Sequence, residues 1–194
     1  VALNAGNTTA RSARDPLKSP PKNGESAVVI SITGNTAEVG AFTQVVLKRS
    51  IPEAGKKSRP SYVLDMIGAG LSRNTTFFVG ALPAGEYDLS TLTDFSRGKY
   101  LVVNPGMREA IGRFTVQQGK SSDLGRLIVT PLNFNVLLGR SALITSNIPV
   151  LQRFSPEHAK LFSGEVSSWD SPRNPLDRVE EYARSNPVGA NIPT

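Results

Sequence analysis

The chain has 194 residues, 39% of them hydrophobic and 20% charged, which is apolar material for one sizeable core and excludes a chain disordered throughout. It contains no cysteine, so disulfides and thiolate metal sites are excluded, and no apolar run of about 18 residues, so no membrane-spanning helix is expected. The net charge of +6 is concentrated: Arg11, Arg14, Lys18 and Lys22 outnumber Asp15 and Glu25, and Lys48, Arg49, Lys56, Lys57 and Arg59 outnumber Glu53, while the rest of the chain balances.

Residues 1–25 show no periodicity and include the pair Pro20-Pro21, which reads as a flexible leader able to lie along the domain. From Ala27 to about Leu138, short apolar runs alternate with turn residues, the spacing of an all-β domain. Val28, Ile30 and Ile32 fall on one face of a first strand, ended by Gly34-Asn35. Ala41 to Lys48 is a second strand with Val45 and Leu47 on one face. Ile51 to Pro60, polar, basic and bounded by prolines, is a loop. Tyr62, Leu64 and Met66 alternate in a third strand ended by Gly68 and Gly70, and Thr75 to Val79 is a fourth.

Leu82-Pro83-Ala84-Gly85 is a turn, because proline presets the backbone at its second position and glycine suits its fourth. Tyr87 and Leu89 then alternate with Glu86, Asp88 and Ser90. Tyr100 and Val102, Phe114 and Val116, Leu127 and Val129, and Phe134, Val136 and Leu138 mark four further strands, with Gln118 to Asp123 as a connecting loop. About nine strands in about 110 residues is the density of an immunoglobulin-like sandwich, and the alternation implies one buried and one wet face per strand.

Beyond Leu143 the character changes, and six of the 14 prolines lie between Pro149 and Pro193. Ser155-Pro156-Glu157 starts a short helix reaching about Phe162: a capping hydroxyl, proline at the first position, an acid in the first turn. Asn174-Pro175 opens a second helix in which Leu176, Val179 and Tyr182 share a face, stopping near Ser185. Helices this short are marginal alone and must dock on something.

Leu82-Pro83-Ala84-Gly85-Glu86-Tyr87 resembles the apolar-Pro-x-Gly-x-Tyr turn that launches a core strand in transthyretin-like modules. These include the carboxypeptidase-regulatory-like domains of bacterial exported proteins. Phe114-Thr115-Val116, Gln118-Gly119 and Leu124-Gly125-Arg126-Leu127-Ile128-Val129 are similar to a later hairpin of the same modules, so the likeness covers about residues 27–130. The resemblance implies an antiparallel two-sheet sandwich acting as a structural, stalk-like or binding module. One branch of that superfamily opens the ring of hydroxyisourate with histidines, an arginine and a C-terminal Tyr-Arg-Gly-Ser. Here the only histidine is His158 and the chain ends Asn191-Ile192-Pro193-Thr194, a departure that removes the catalytic branch.

The chemical inventory is thin. A serine hydrolase needs a base beside its nucleophile; His158 alone is available, no Gly-x-Ser-x-Gly elbow exists, and a surface histidine at a helix start is the expectation. Glu86 and Asp88 share a strand face and are either oxygen ligands for a cation or a solvated face. Gly68-Ala69-Gly70 lacks the third glycine of a dinucleotide turn, Arg73 standing in its place. The basic stretches are either a phosphate-binding patch or solvated loops; neither contains a stacking aromatic, and nucleic acid is not expected as a partner. Trp169, the single tryptophan, is either a stacking platform or an anchor for the tail.

The expected organisation is therefore a leader over 1–25, an all-β two-sheet sandwich of transthyretin/immunoglobulin type over 26–145, and a Pro-rich arm with two short helices over 146–194. The expected function is non-catalytic, without cofactor or metal: a structural or interaction module of an exported or envelope-associated bacterial protein, with any export signal ahead of Val1. Its partner is a neighbouring domain or protein, the alternative being a carbohydrate-binding module, and the contact residues expected are Trp169, Tyr182 and Tyr100.

Overall fold

The computed structural model describes residues 10–34, 42–69, 75–94, 99–102, 112–133, 136–144, 155–162 and 169. Among them are ten strands: β1 (Arg11–Ala13), β2 (Glu25–Gly34), β3 (Gln44–Arg49), β4 (Ser61–Ala69), β5 (Thr75–Pro83), β6 (Gly85–Asp94), β7 (Lys99–Val102), β8 (Phe114–Val116), β9 (Ser122–Asn133) and β10 (Val136–Ile144). One short helix, α1 (Pro156–Ala159), follows. The second expected helix, with Tyr182, lies outside the described residues.

The strands form one mixed, mostly antiparallel sheet in the order β10-β9-β2-β5-β4-β3-β6-β7, with β1 added beside β4 and β8 beside β6. Its two ends, β7 and β10, come close together, so the sheet curls into a nearly closed barrel. This replaces the expected pair of separate sheets. The reason is β4, whose nine residues serve two neighbours in succession: Ser61–Val63 pair with β3, and Asp65–Ala69 pair with β5. A strand this long spans about 30 Å and carries the hydrogen-bond ladder from one half of the molecule into the other. Two contacts are parallel, β1 with β4 and β2 with β9.

Period two holds where the strands line the barrel. Val28, Ile30 and Ile32 are fully buried, as are Val45 and Leu47 of β3, Tyr87 and Leu89 of β6, and Phe114 and Val116 of β8. Two strands depart from it. In β2 the opposite face is buried as well, through Ala27, Val29 and Ser31, because β2 sits between β5 and β9 and its outer side is covered. A continuous apolar run is the mark of a strand buried on both faces. In β4, Tyr62 and Leu64 point inward, but Met66 is 49% exposed, and after a bulge at Met66/Gly68 the half-buried Ile67 makes the apolar contact on the other face.

The Leu82–Gly85 turn is a corner rather than a hairpin. β5 pairs with β2 and β4, β6 pairs with β3, β7 and β8, and the turn hands the chain from one half of the sheet to the other. Gly85 adopts φ +148, a region that disfavours a side chain. The Tyr87 hydroxyl donates to the Pro83 carbonyl at 2.6 Å, the geometry of a tyrosine corner, which explains why the proline and the tyrosine stand four residues apart. Burial raises the Tyr87 pKa above the ordinary phenol range, keeping the O–H available as a donor.

The interior is organised by a file of aromatic rings. Tyr62 meets Tyr87 edge-on at 5.9 Å, Tyr87 stacks on Phe114 at 5.7 Å, and Phe114 meets Trp169 edge-on at 4.9 Å. A second, smaller apolar patch lies on the outer side of β2 and β5, where Ala159 and Phe162 at the end of α1 cover Ala27, Val29, Phe77 and Val79.

The stretch read as a leader contributes structure from residue 10 onward. β1 runs parallel to β4, with Arg11 opposite Tyr62 and Ala13 opposite Leu64. Its seat requires a glycine in β5: a Cβ on Gly80 would lie 2.7 Å from Leu64 Cδ2 and 2.9 Å from both Ala13 Cβ and the Ala13 carbonyl oxygen. No real side chain tolerates such approach without a shift, so Gly80 is the slot into which β1 fits.

Candidate functional site

The chemistry-bearing side chains gather in three places. The first joins the two ends of the described chain. Ser155 caps α1, its Oγ lying 3.5 Å from the His158 backbone N–H. The same Oγ is 2.5 Å from His158 Nδ1, and His158 Nε2 is 2.9 Å from Asp15 Oδ1. Nε2 thus faces the carboxylate and Nδ1 the serine hydroxyl, so both ring nitrogens are engaged. Asp15 also accepts the Leu17 N–H at 3.0 Å, and its own N–H donates to Asp65 Oδ2 at 2.7 Å. His158 is 8% exposed and Asp15 2%, so the expected surface histidine is in fact buried.

Ser155, His158 and Asp15 are the residue types of a nucleophile, a base and its orienting carboxylate. Among the described residues, the arrangement reads first as a structural one. Serine and histidine belong to the same helical turn, where the hydroxyl also caps the backbone. The helix is four residues long, too short to offer an anion-stabilising terminus. What the array does is fasten α1, and with it Phe162, to the turn that follows β1.

The second place is Asp88, on the outer face of β6. It is 4% exposed, so it does not belong to a solvated face. Arg113 Nε sits 3.1 Å from Oδ1, and Arg59 Nη1 3.4 Å from Oδ2. Glu86, two residues earlier on the same face, is exposed, and among the described residues no group of three or more His, Asp or Glu side chains gathers as a metal site.

The third is the basic loop from Arg49 to Pro60, which is tied to the body at several points. Glu53 takes Arg11 in a bidentate pair and Lys56 at 2.9 Å, and these cations hold its carboxyl down at about 2. Arg11 also lies over the Tyr62 ring, 5.9 Å from its centroid. Arg49 reaches across Gly85 to donate to the Ala84 carbonyl at 2.9 Å. An open notch of about 250 Å³ lies between this loop and the start of β6, lined by Arg49, Ile51, Pro52, Glu53, Ala54, Gly85 and Glu86. It falls below the roughly 300–1,000 Å³ of small-molecule sites.

Of the three contact residues expected from the sequence, Trp169 is buried, 7% exposed, packed on Phe114 and donating from Nε1 to the Leu124 carbonyl at 2.9 Å. It is an anchor inside the barrel, not a platform on its surface. Tyr100 pairs with Thr93 in the β6–β7 ladder, and Tyr182 lies outside the described residues. Sequence reasoning missed Asp15, Arg59 and Arg113. A single acid or arginine in a loop carries no periodic signal, and these three acquire their roles only when the fold brings in partners 143, 29 and 25 residues away.

The class defined by these features is an all-β, nearly closed mixed sheet with a short helical extension. No protein-family model matches the sequence, and no curated protein matches it.

Proposed function

We propose that this chain is a non-catalytic interaction module, one that holds or presents neighbouring parts of an exported or envelope-associated bacterial protein. The observation that carries this reading is the engagement of the sole histidine. Both its ring nitrogens are taken up in tying α1 to Asp15, and it is buried beneath that contact. The Pro83–Tyr87 corner, one of the two features that carry the likeness to carboxypeptidase-regulatory-like modules, adds support from the side of the fold. The single curled sheet is where the chain departs from the two-sheet pattern of those modules. The carbohydrate-binding alternative relies on Trp169 together with tyrosines, and of these the indole is buried, which weighs against it.

The test is an activity screen of the purified chain against ester, peptide and glycoside substrates. No turnover above background is expected. Turnover that disappears in both Ser155→Ala and His158→Gln, with unchanged circular dichroism, overturns the reading.

A further inference from the structure

The surroundings of Asp88 hold more positive charge than one carboxylate accounts for. Tyr87, Leu89, Leu47 and Phe114 face the barrel interior, so Asp88, Lys48 and Arg113 project from the opposite side. Lys48 stands directly across the β3–β6 ladder from Asp88, and directly opposed residues place their Cβ atoms about 5 Å apart. Arg59 arrives from the basic loop and Arg113 from the start of β8, each on a different oxygen of the carboxylate. Three segments thus meet at one buried anion, two of them ion-paired with it and the third supplying Lys48 from the neighbouring strand position.

A structural explanation accounts for part of this. A buried aspartate needs a partner, and one guanidinium supplies it. The second guanidinium and the lysine exceed that need, and like charges gathered this closely repel one another. Among the described residues, Arg59 and Arg113 make no ion pair besides Asp88, and Lys48 makes none. Their side chains remain 30% and 56% exposed while Asp88 is covered. Arg113 bonds through Nε and Arg59 through one Nη, which leaves further N–H donors on each planar fork for a second acceptor. A buried carboxylate that fixes two forks at an exposed surface is the support a recognition site requires.

We infer that this face of β3, β6 and β8 binds an oxyanion, a phosphate or sulfate ester group, with Arg59, Arg113 and Lys48 as its ligands and Asp88 as the residue that positions both arginines. The inference rests on the reading of the chain as an interaction module and names the chemistry of one contact. The ester group is the recognised unit, and the carrier of that group is a matter for the test.

The probe is inorganic pyrophosphate, titrated calorimetrically against the full chain at low salt. Saturable binding is expected, weakened about tenfold or more by Lys48→Gln and by Arg113→Gln. Lys48→Gln is the clean variant, since among the described residues Lys48 pairs with no carboxylate and its loss leaves Asp88 with both guanidinium partners. Arg113→Lys keeps the charge without the fork and is expected to fall between wild type and Arg113→Gln. Lys120→Gln, an exposed cation in the turn before β9, is the charge-matched control and is expected to change binding less than about twofold. A sulfated oligosaccharide and phosphatidylglycerol vesicles, run with the same variants, identify the carrier as glycan or lipid. Absence of saturation by pyrophosphate overturns the site, and so does equal weakening by Lys120→Gln, which would mark a net-charge effect alone. Either failure leaves the module reading standing. Turnover dependent on His158 would remove that reading and leave this site in place.

Discussion

The two sides of the β2–β5 pair are buried by different means. Inside the barrel, Ile30, Ile32 and Phe78 are covered by the sheet itself, which curls until its own strands close over them. Outside, Val29, Phe77 and Val79 are covered by a single helical turn brought from far along the chain and held by the Ser155–His158–Asp15 clasp. Closure makes the inner side cooperative, because its rings join remote strands: Tyr62 of β4 meets Tyr87 of β6, which stacks on Phe114 of β8. The outer side depends on a few polar bonds at one point and so can open by itself.

The sharpest break of that contrast is Phe114→Ala. It removes the ring that stacks on Tyr87 and meets Trp169, and a loss of about 3–5 kcal/mol is expected, read as a lower urea midpoint for the whole molecule. Gly80→Val comes next, at about 1–3 kcal/mol, since the new side chain drives into Leu64 and Ala13 and displaces β1. Because Asp15 lies two residues after the end of β1, this variant should loosen the outer clasp as well as the inner wall.

His158→Ala tests the outer side directly. About 1–3 kcal/mol of local stability is expected to be lost, and the location matters more than the amount. Amide exchange should rise across residues 155–162 while β2 and β5 keep their protection. Equal acceleration in those strands would show that the two sides open together. Ser155→Ala, which removes the cap and one bond to the imidazole, should produce the same local pattern with about 1 kcal/mol.

The smallest effect concerns the tie between β1 and the basic loop. Glu53 is held at about 2 by Arg11 and Lys56, below its ordinary 4.5. A depressed folded-state pKa means that the contribution is complete above the ordinary carboxylate range and disappears as pH falls through about 2. An NMR titration of the Glu53 carboxyl should therefore stay flat through pH 4.5 and turn only near 2. A midpoint near 4.5 would show that the pair does not persist in solution.

Much of the inner side was legible in the sequence. The faces of β3, β6 and β8, the Pro83–Gly85 turn and the Ser155-Pro156 helix start all follow from neighbouring residues. Met66 leaves the face it shares in sequence with Tyr62 and Leu64, and β2 has no wet face, because alternation reports which residues share a face and not what covers that face. The candidate sites were almost illegible. Asp88 belongs to an alternating strand and looks solvated until Arg59 and Arg113 fold over it. His158 looks exposed until Asp15 is placed beside it.

The faces of β3, β6 and β8, the Pro83–Tyr87 corner and the helix cap were determined by the amino-acid sequence alone, since each depends on interactions within about four residues. Three matters were decided only in the tertiary structure: one curled sheet instead of two, the burial of Trp169, and the partners of Asp15 and Asp88. Each depends on which remote segments meet, as when β4 pairs with β3 along one half and β5 along the other. That choice is made by register and closure of the whole sheet, a balance spread over many weak contacts that no short stretch of chain contains.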